Sequence, residues 1–363
     1  MNDNDQLIGG EAINAETIGL TKSSPVPKIK KQYLIIGGVA IVILILTIVI
    51  VVLATKGNGS SGGSGGESGG EGSKQDDHDP SDAIGIINVD YRIGSTTSPT
   101  QLISENYNKD SAFSIYINDK FVVYSKKYTF KSRDNQKVKF VVYEEINMNK
   151  MFKDVKEITG IEITSDKNMK IKSLDNAFEN CENLAKFQMT GVDSASIGSI
   201  KNAFRNTNIK DISNVISSLG EIKDMSYMFA GTKLNSIDLS KLDTSKVTNM
   251  AGLFQDSQSL GTLDLSNFKT SNVEDMSSMF EGCFSLTAIT FPNNFDTRRV
   301  TKMNSMFKGC DKLKKIDVSS FNTENVVDMN SMFLECKGLN NLNLNNFETS
   351  KVVNMSRMFD TCT

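Results

Sequence analysis

The chain has 363 residues and a formal net charge of −3, with a single histidine, no tryptophan and five cysteines. No segment forms a long basic block, which argues against nucleic acid as the main partner, since binding phosphates needs a basic face. His78 sits in a polar stretch and no CxxC pair exists, so the usual proton carrier, zinc-ribbon and thioredoxin-like patterns are all missing.

Residues 1–32 show no core-forming pattern and read as a disordered tail. Within it Asp3, Leu7 and Ile8 form D-x-x-x-L-I, which looks like the acidic dileucine signal read by clathrin adaptors. Residues 33–54 are 22 positions without a charge. As a helix they would be roughly 33 Å long, enough to cross a lipid bilayer. Lys22, Lys28, Lys30 and Lys31 precede the span and only Lys56 follows closely. Excess lysine stays cytoplasmic, so the expected orientation has the N-terminus inside and the C-terminal part outside the plasma membrane. Residues 55–82 are rich in Gly, Ser and acidic residues and read as a flexible stalk. The glycines follow a span rather than a strand and lack a Gly-Lys-Ser/Thr ending, so they are not a phosphate loop.

Residues 83–147 hold short β-branched and aromatic runs separated by turn pairs such as Asn118-Asp119 and Asp134-Asn135. That predicts a small β-rich module, either a spacer or an N-terminal cap that covers the apolar first face of whatever repeats follow.

From 148 to 363 one phenylalanine recurs, at 152, 178, 204, 229, 254, 280, 307, 333 and 359. The steps are 26, 26, 25, 25, 26, 27, 26 and 26 residues, within the range of leucine-rich repeats. In one unit, Val273, Met276, Phe280 and Cys283 fall at helical spacing, and Thr270 precedes them as a candidate cap for an orphan amide. Thr244, Thr297, Thr323 and Thr349 hold the same place. The alternation Leu263, Asp264, Leu265 predicts a short half-buried strand. The expected fold is therefore an α/β leucine-rich-repeat solenoid of about nine units of ~26 residues, each a helix-like turn plus a strand. The Met/Phe stripe is its core and not a cofactor box; no cofactor is expected.

The motif M-S-x-M-F-x-x-C-x-x-L-x-x-L-D-L-S-x-F-x-T-S-x-V, seen as MSSMFEGC, MNSMFKGC and MNSMFLEC with the DTSKV and ETSKV endings, resembles the BspA-like leucine-rich-repeat surface proteins. The resemblance covers about residues 150–363. It implies an extracellular solenoid for adhesion or surface recognition, with protein or glycan ligands on host or bacterial surfaces, and supplies no catalytic residues. An endocytic or sorting receptor using the dileucine-like tail is the alternative.

The outward strand positions Asp238, Asp264, Thr290, Asp317 and Asn343, with Ser240, Ser266 and Ser319 beside them, are the candidate ligand face. The competing expectation is that these side chains form hydrogen-bonded ladders within the repeat. Like carboxylates at strand spacing repel, so the row calls for amide or hydroxyl donors, water or cations. A two-carboxylate glycosidase needs a flanked cleft, which a regular face does not offer. Cys283, Cys310, Cys336 and Cys362 share one repeat position, and both buried thiols and neighbour-to-neighbour disulfides fit that spacing.

Overall fold

The computed structural model describes residues 78–362, except 109, 110, 196, 217 and 218. The expected span at 33–54, the tail with Asp3, Leu7 and Ile8, and most of the stalk lie outside the described residues. Among the described residues no helix is long and apolar enough to cross a membrane.

The β-rich module is a mainly antiparallel sheet. It contains β1 (Gly85–Tyr91), β3 (Phe113–Ile117), β4 (Lys120–Val122), β6 (Gln136–Val142), β7 (Ile146–Asn147), β8 (Ile158–Ser173) and β9 (Lys186–Asp193). Two short strands, β2 (Thr100–Gln101) and β5 (Lys127–Tyr128), pair apart from it. Alternation sets the register: Ile87, Val89 and Tyr91 of β1 and Val138, Phe140 and Val142 of β6 all face the core. The buried Tyr91 hydroxyl donates to the Leu102 carbonyl at 2.6 Å, so its one polar atom is satisfied.

β8 is the joint. One edge pairs antiparallel with β1, and the other pairs parallel with β9. The register between β8 and β9 shifts between Thr164 and Met169, and β9 closes over that irregularity at Gly191, whose φ is +69°. Phe140 packs edge-on against Phe152, the first ring of the repeats, at 5.6 Å, so one apolar core runs from the sheet into the coils.

The nine recurrent phenylalanines form one interior column. Consecutive rings stack at 5.4 to 6.4 Å with interplanar angles of 25° or less. Eight of the nine are fully buried, and Phe359 at the end is 47% exposed. Where alanine replaces methionine, at Ala177 and Ala203, Phe187 of β9 fills the volume, 4.9 Å from Phe178 and 5.1 Å from Phe204. About five turns also carry the Leu/Ile strand side, around Leu239, Leu263, Ile289, Ile316 and Leu342.

The expected helix-like turn is corrected. The solenoid is built from β-arcs, and the described residues hold only one α-helical turn, α1 (Ser213–Ile216). The reason lies in the backbone. Ser278 (φ 54°) and Gly282 (φ 72°) are left-handed, and so are the matching pairs Asn176/Asn180, Asn202/Asn206, Ser305/Gly309 and Ser331/Glu335. A left-handed residue at every fourth position cannot be accommodated in a right-handed helix. Instead, the amides of Met276, Ser278, Phe280 and Gly282 donate to Lys302, Asn304, Met306 and Lys308 of the next coil. The intervening amides close three-residue turns, as Glu281 does onto Ser278 and Cys283 onto Phe280. Met276, Met279, Phe280 and Cys283 still all point inward, so the arc imitates helical burial spacing.

Gly309→Ala separates the two geometries. In a helix the change would stabilise by about 1 kcal/mol. Here Gly309 has φ +69°, and an added Cβ would meet nothing closer than the Phe284 ring at 3.2 Å. The expected result is a loss of about 1–2 kcal/mol from left-handed strain alone, read as a lower denaturant midpoint. A gain in stability would contradict the arc.

Candidate functional site

The predicted ligand row is exposed and regular. β10 (Thr262–Asp264) and β11 (Ala288–Thr290) pair in parallel and set Asp264 beside Thr290. Asp238, Asp264, Thr290, Asp317 and Asn343 all face solvent, as do Ser240, Ser266 and Ser319. Each Asp accepts from the amide two residues on, Ser240, Ser266 or Ser319, at 2.9 Å. Asn343 does the same with Asn345 at 3.0 Å. These are Asx turns that end each strand, so the bonding stays within the repeat and runs from each side chain to its own backbone. The serine backbone amides hold the Asp238 and Asp264 carboxyls below the ordinary carboxylate range, with the serine hydroxyls adding to the effect. At Asp317 the Ser319 side chain leads and its amide adds to it. The row is thus ionised, oriented and open. Among the described residues no group of three His, Cys, Asp or Glu side chains is placed to hold a metal ion.

The ladders lie elsewhere. On the arc side, Asn202 donates to Asn176 at 3.0 Å and Asn206 to Asn180 at 2.8 Å, joining the left-handed positions of successive coils. Lys153–Glu179 (2.7 Å) and Lys308–Glu281 (2.8 Å) are partly buried ion pairs across neighbouring coils. The cysteine position caps the ring column. The Cys181, Cys283, Cys310 and Cys336 thiols each donate to a phenylalanine carbonyl of the preceding coil at 3.0 to 3.3 Å. In a coil without Cys, the Ser257 hydroxyl makes that bond to Phe229 at 2.8 Å. All five cysteines are free. Burial pushes the Cys283 and Cys336 thiols up to about 12, so they are protonated and unreactive at neutral pH.

The threonines ahead of each arc form a second buried ladder. They start no helix; they clamp neighbouring coils. The Thr244 hydroxyl accepts from the Lys269 amide at 2.8 Å and donates to the Lys269 carbonyl at 3.1 Å. Thr297 bridges Asn322 and Thr323 bridges Glu348 in the same two-bond way. Thr270 is the exception: it is 2% exposed and no protein group lies within hydrogen-bonding reach of its hydroxyl. Its coil is followed by the single 27-residue step, and the extra residue opens a cleft of about 580 Å³ beside it. Reading the outward strand positions missed this place; its signal was the spacing of 27 between Phe280 and Phe307.

A matched pair of variants reads the ladder. Thr323→Val should cost about 1–3 kcal/mol, because it strands the Glu348 amide and carbonyl. Thr270→Val should be neutral or stabilising, since it removes a buried hydroxyl that has no protein partner. Thermal unfolding of the two variants side by side checks both signs.

Stacked coils with an inward Met/Phe/Leu core and an outward polar strand row define a leucine-rich-repeat solenoid. Residues 104–227 match the family model described as BspA type leucine rich repeat region, in six copies. Residues 198–290 and 284–363 match the model described as Mycoplasma protein of unknown function, DUF285. Together the two matches are consistent with the BspA-like leucine-rich-repeat family, and the first begins within the β-rich module rather than at about 150. No curated protein and no solved structure matches the chain. Leucine-rich repeats of this kind point, in general terms, to protein–protein interaction or adhesion.

Proposed function

We propose that the chain is a single-pass plasma-membrane protein whose repeats face outward and recognise protein or glycan ligands on host or bacterial surfaces. The lipid bilayer is its second partner, through residues 33–54. The observation that carries the reading is the strand row. Asp238, Asp264 and Asp317 are ionised, exposed and fixed in direction by their own Asx turns. A side chain already ordered in the free protein loses little entropy when a ligand engages it. The solenoid core supplies the rigid support, because each coil is locked to the next through its backbone.

The test expresses the full chain on cells with a tag at each end and measures adhesion to matrix proteins, host cells and bacteria. Protease shaving of the intact cells should remove the C-terminal tag and spare the N-terminal one. The triple variant Asp238→Ala, Asp264→Ala, Asp317→Ala should weaken adhesion by about tenfold or more, as expected where a few residues dominate an interface. Adhesion to none of the surfaces, or equal adhesion by the triple variant, would remove this reading.

A further inference from the structure

We propose that the cleft at the 27-residue step is a saccharide-binding site, separate from the strand row. Its origin is one inserted residue. Sister coils read Leu265-Ser266-Asn267-Phe268 and Val318-Ser319-Ser320-Phe321, whereas this coil reads Phe291-Pro292-Asn293-Asn294-Phe295. The extra asparagine lengthens the bend, so Asp296 does not reach Thr270 as Lys269 reaches Thr244 and Asn322 reaches Thr297. The threonine ladder is interrupted at that one place, and the cleft occupies the interruption.

The cleft volume, about 580 Å³, falls within the ordinary size of small-molecule sites. Its chemistry is polar. The exposed side chains of Asn293, Asn294 and Ser271 line it and bond to no other protein group. Amides and hydroxyls offer both donors and acceptors, which is what a ligand covered in hydroxyl groups requires. Phe295 is 1% exposed and packs on Phe321 at 5.1 Å, so the ring stiffens the floor and is not itself offered to a ligand. The one carboxylate in the wall, Asp296, is engaged by Arg298 through two guanidinium bonds of 3.0 and 2.7 Å. That pairing removes both charges from competition. Lys269 remains on the rim, 3.6 Å from Asp243, so the site tolerates a sugar carboxylate and repels none.

The insertion supplies its own control. Deleting Asn294 restores the 26-residue step and lets Asp296 meet Thr270, which should close the cleft. The experiment probes the full chain in lipid nanodiscs against an array of neutral and uronate-bearing oligosaccharides. The wild type should bind a saccharide on the array. Asn293→Ala/Asn294→Ala should bind it at least tenfold more weakly, and the Asn294 deletion should lose it. Both asparagine side chains are exposed and unbonded, so the double alanine variant keeps its fold even if the deletion does not. The triple aspartate variant of the strand row should bind the same saccharide as the wild type does. That result distinguishes this site from the adhesive face whichever way adhesion itself turns out. A blank array for the wild type, or equal binding by Asn293→Ala/Asn294→Ala, would overturn the proposal.

Discussion

Phe307→Ala is expected to destabilise the protein by about 3–5 kcal/mol, the range for a buried phenylalanine truncated to alanine. The ring lies 5.5 Å from Phe280 and 5.4 Å from Phe333, nearly parallel to both, and has no exposed surface. Its removal opens a void that the coil cannot close, because the amide of residue 307 stays bonded to Met332 and the carbonyl of Met306 stays bonded to Phe280. Phe359→Ala, at the 47% exposed end of the column, should cost much less, since solvent already touches that ring. Denaturant unfolding of both variants gives the comparison. Equal losses would mean that the column does not share its load as stacked coils should.

Gly191→Ala should be about as damaging, at roughly 2–5 kcal/mol, for two separable reasons. A left-handed alanine is strained by about 1–2 kcal/mol. The new Cβ would also lie 1.9 Å from the Ser165 carbonyl oxygen, a backbone atom with nowhere to retreat. Overpacking of that kind adds about 1–3 kcal/mol. Gly309→Ala carries the strain without a backbone clash, so the difference between the two variants isolates the clash. Hydrogen exchange should show the loss first in the β9 amides. Those amides join the antiparallel sheet to the parallel coils, so a defect there loosens the support on which every later coil is stacked.

Much of the architecture was legible in the chain. The interval between phenylalanines predicts the ring column, and the β-branched runs from 83 to 147 predict the sheet. What burial spacing could not reveal was the path of the backbone between buried residues. Met276, Phe280 and Cys283 face inward in a helix and in a β-arc alike, so the 3.6-residue pattern did not discriminate. The discriminating signal was on the polar side: Asn, Gly, Ser and Asp at 176, 180, 202, 206, 252, 256, 278 and 282, residue types that tolerate positive φ or have small side chains, set four apart within each of those coils. The strand row was legible as an exposed face, but not its bonding. Asp-x-Ser favours a bond to its own chain two residues on, and that local geometry forms sooner than a bond to a neighbouring coil. The cleft was the least visible feature, because it depends on a departure of one residue from the period and not on any motif.

The direction of the bonds between arcs carries a further meaning. In each arc, three or four amides point toward the later coil and their partner carbonyls point back, from Phe152 bonding to Ala177 through to Phe333 bonding to Met358. Peptide dipoles aligned in this manner add instead of cancelling. The arc side of the stack is therefore electrically polarised, while the amides of Thr248, Glu274, Thr301 and Val327 donate the other way, to Lys223, Thr248, Glu274 and Thr301 of the preceding coil. The negative end of that polarity, at the first arc, is met by the Ser104 amide, which donates to Met151.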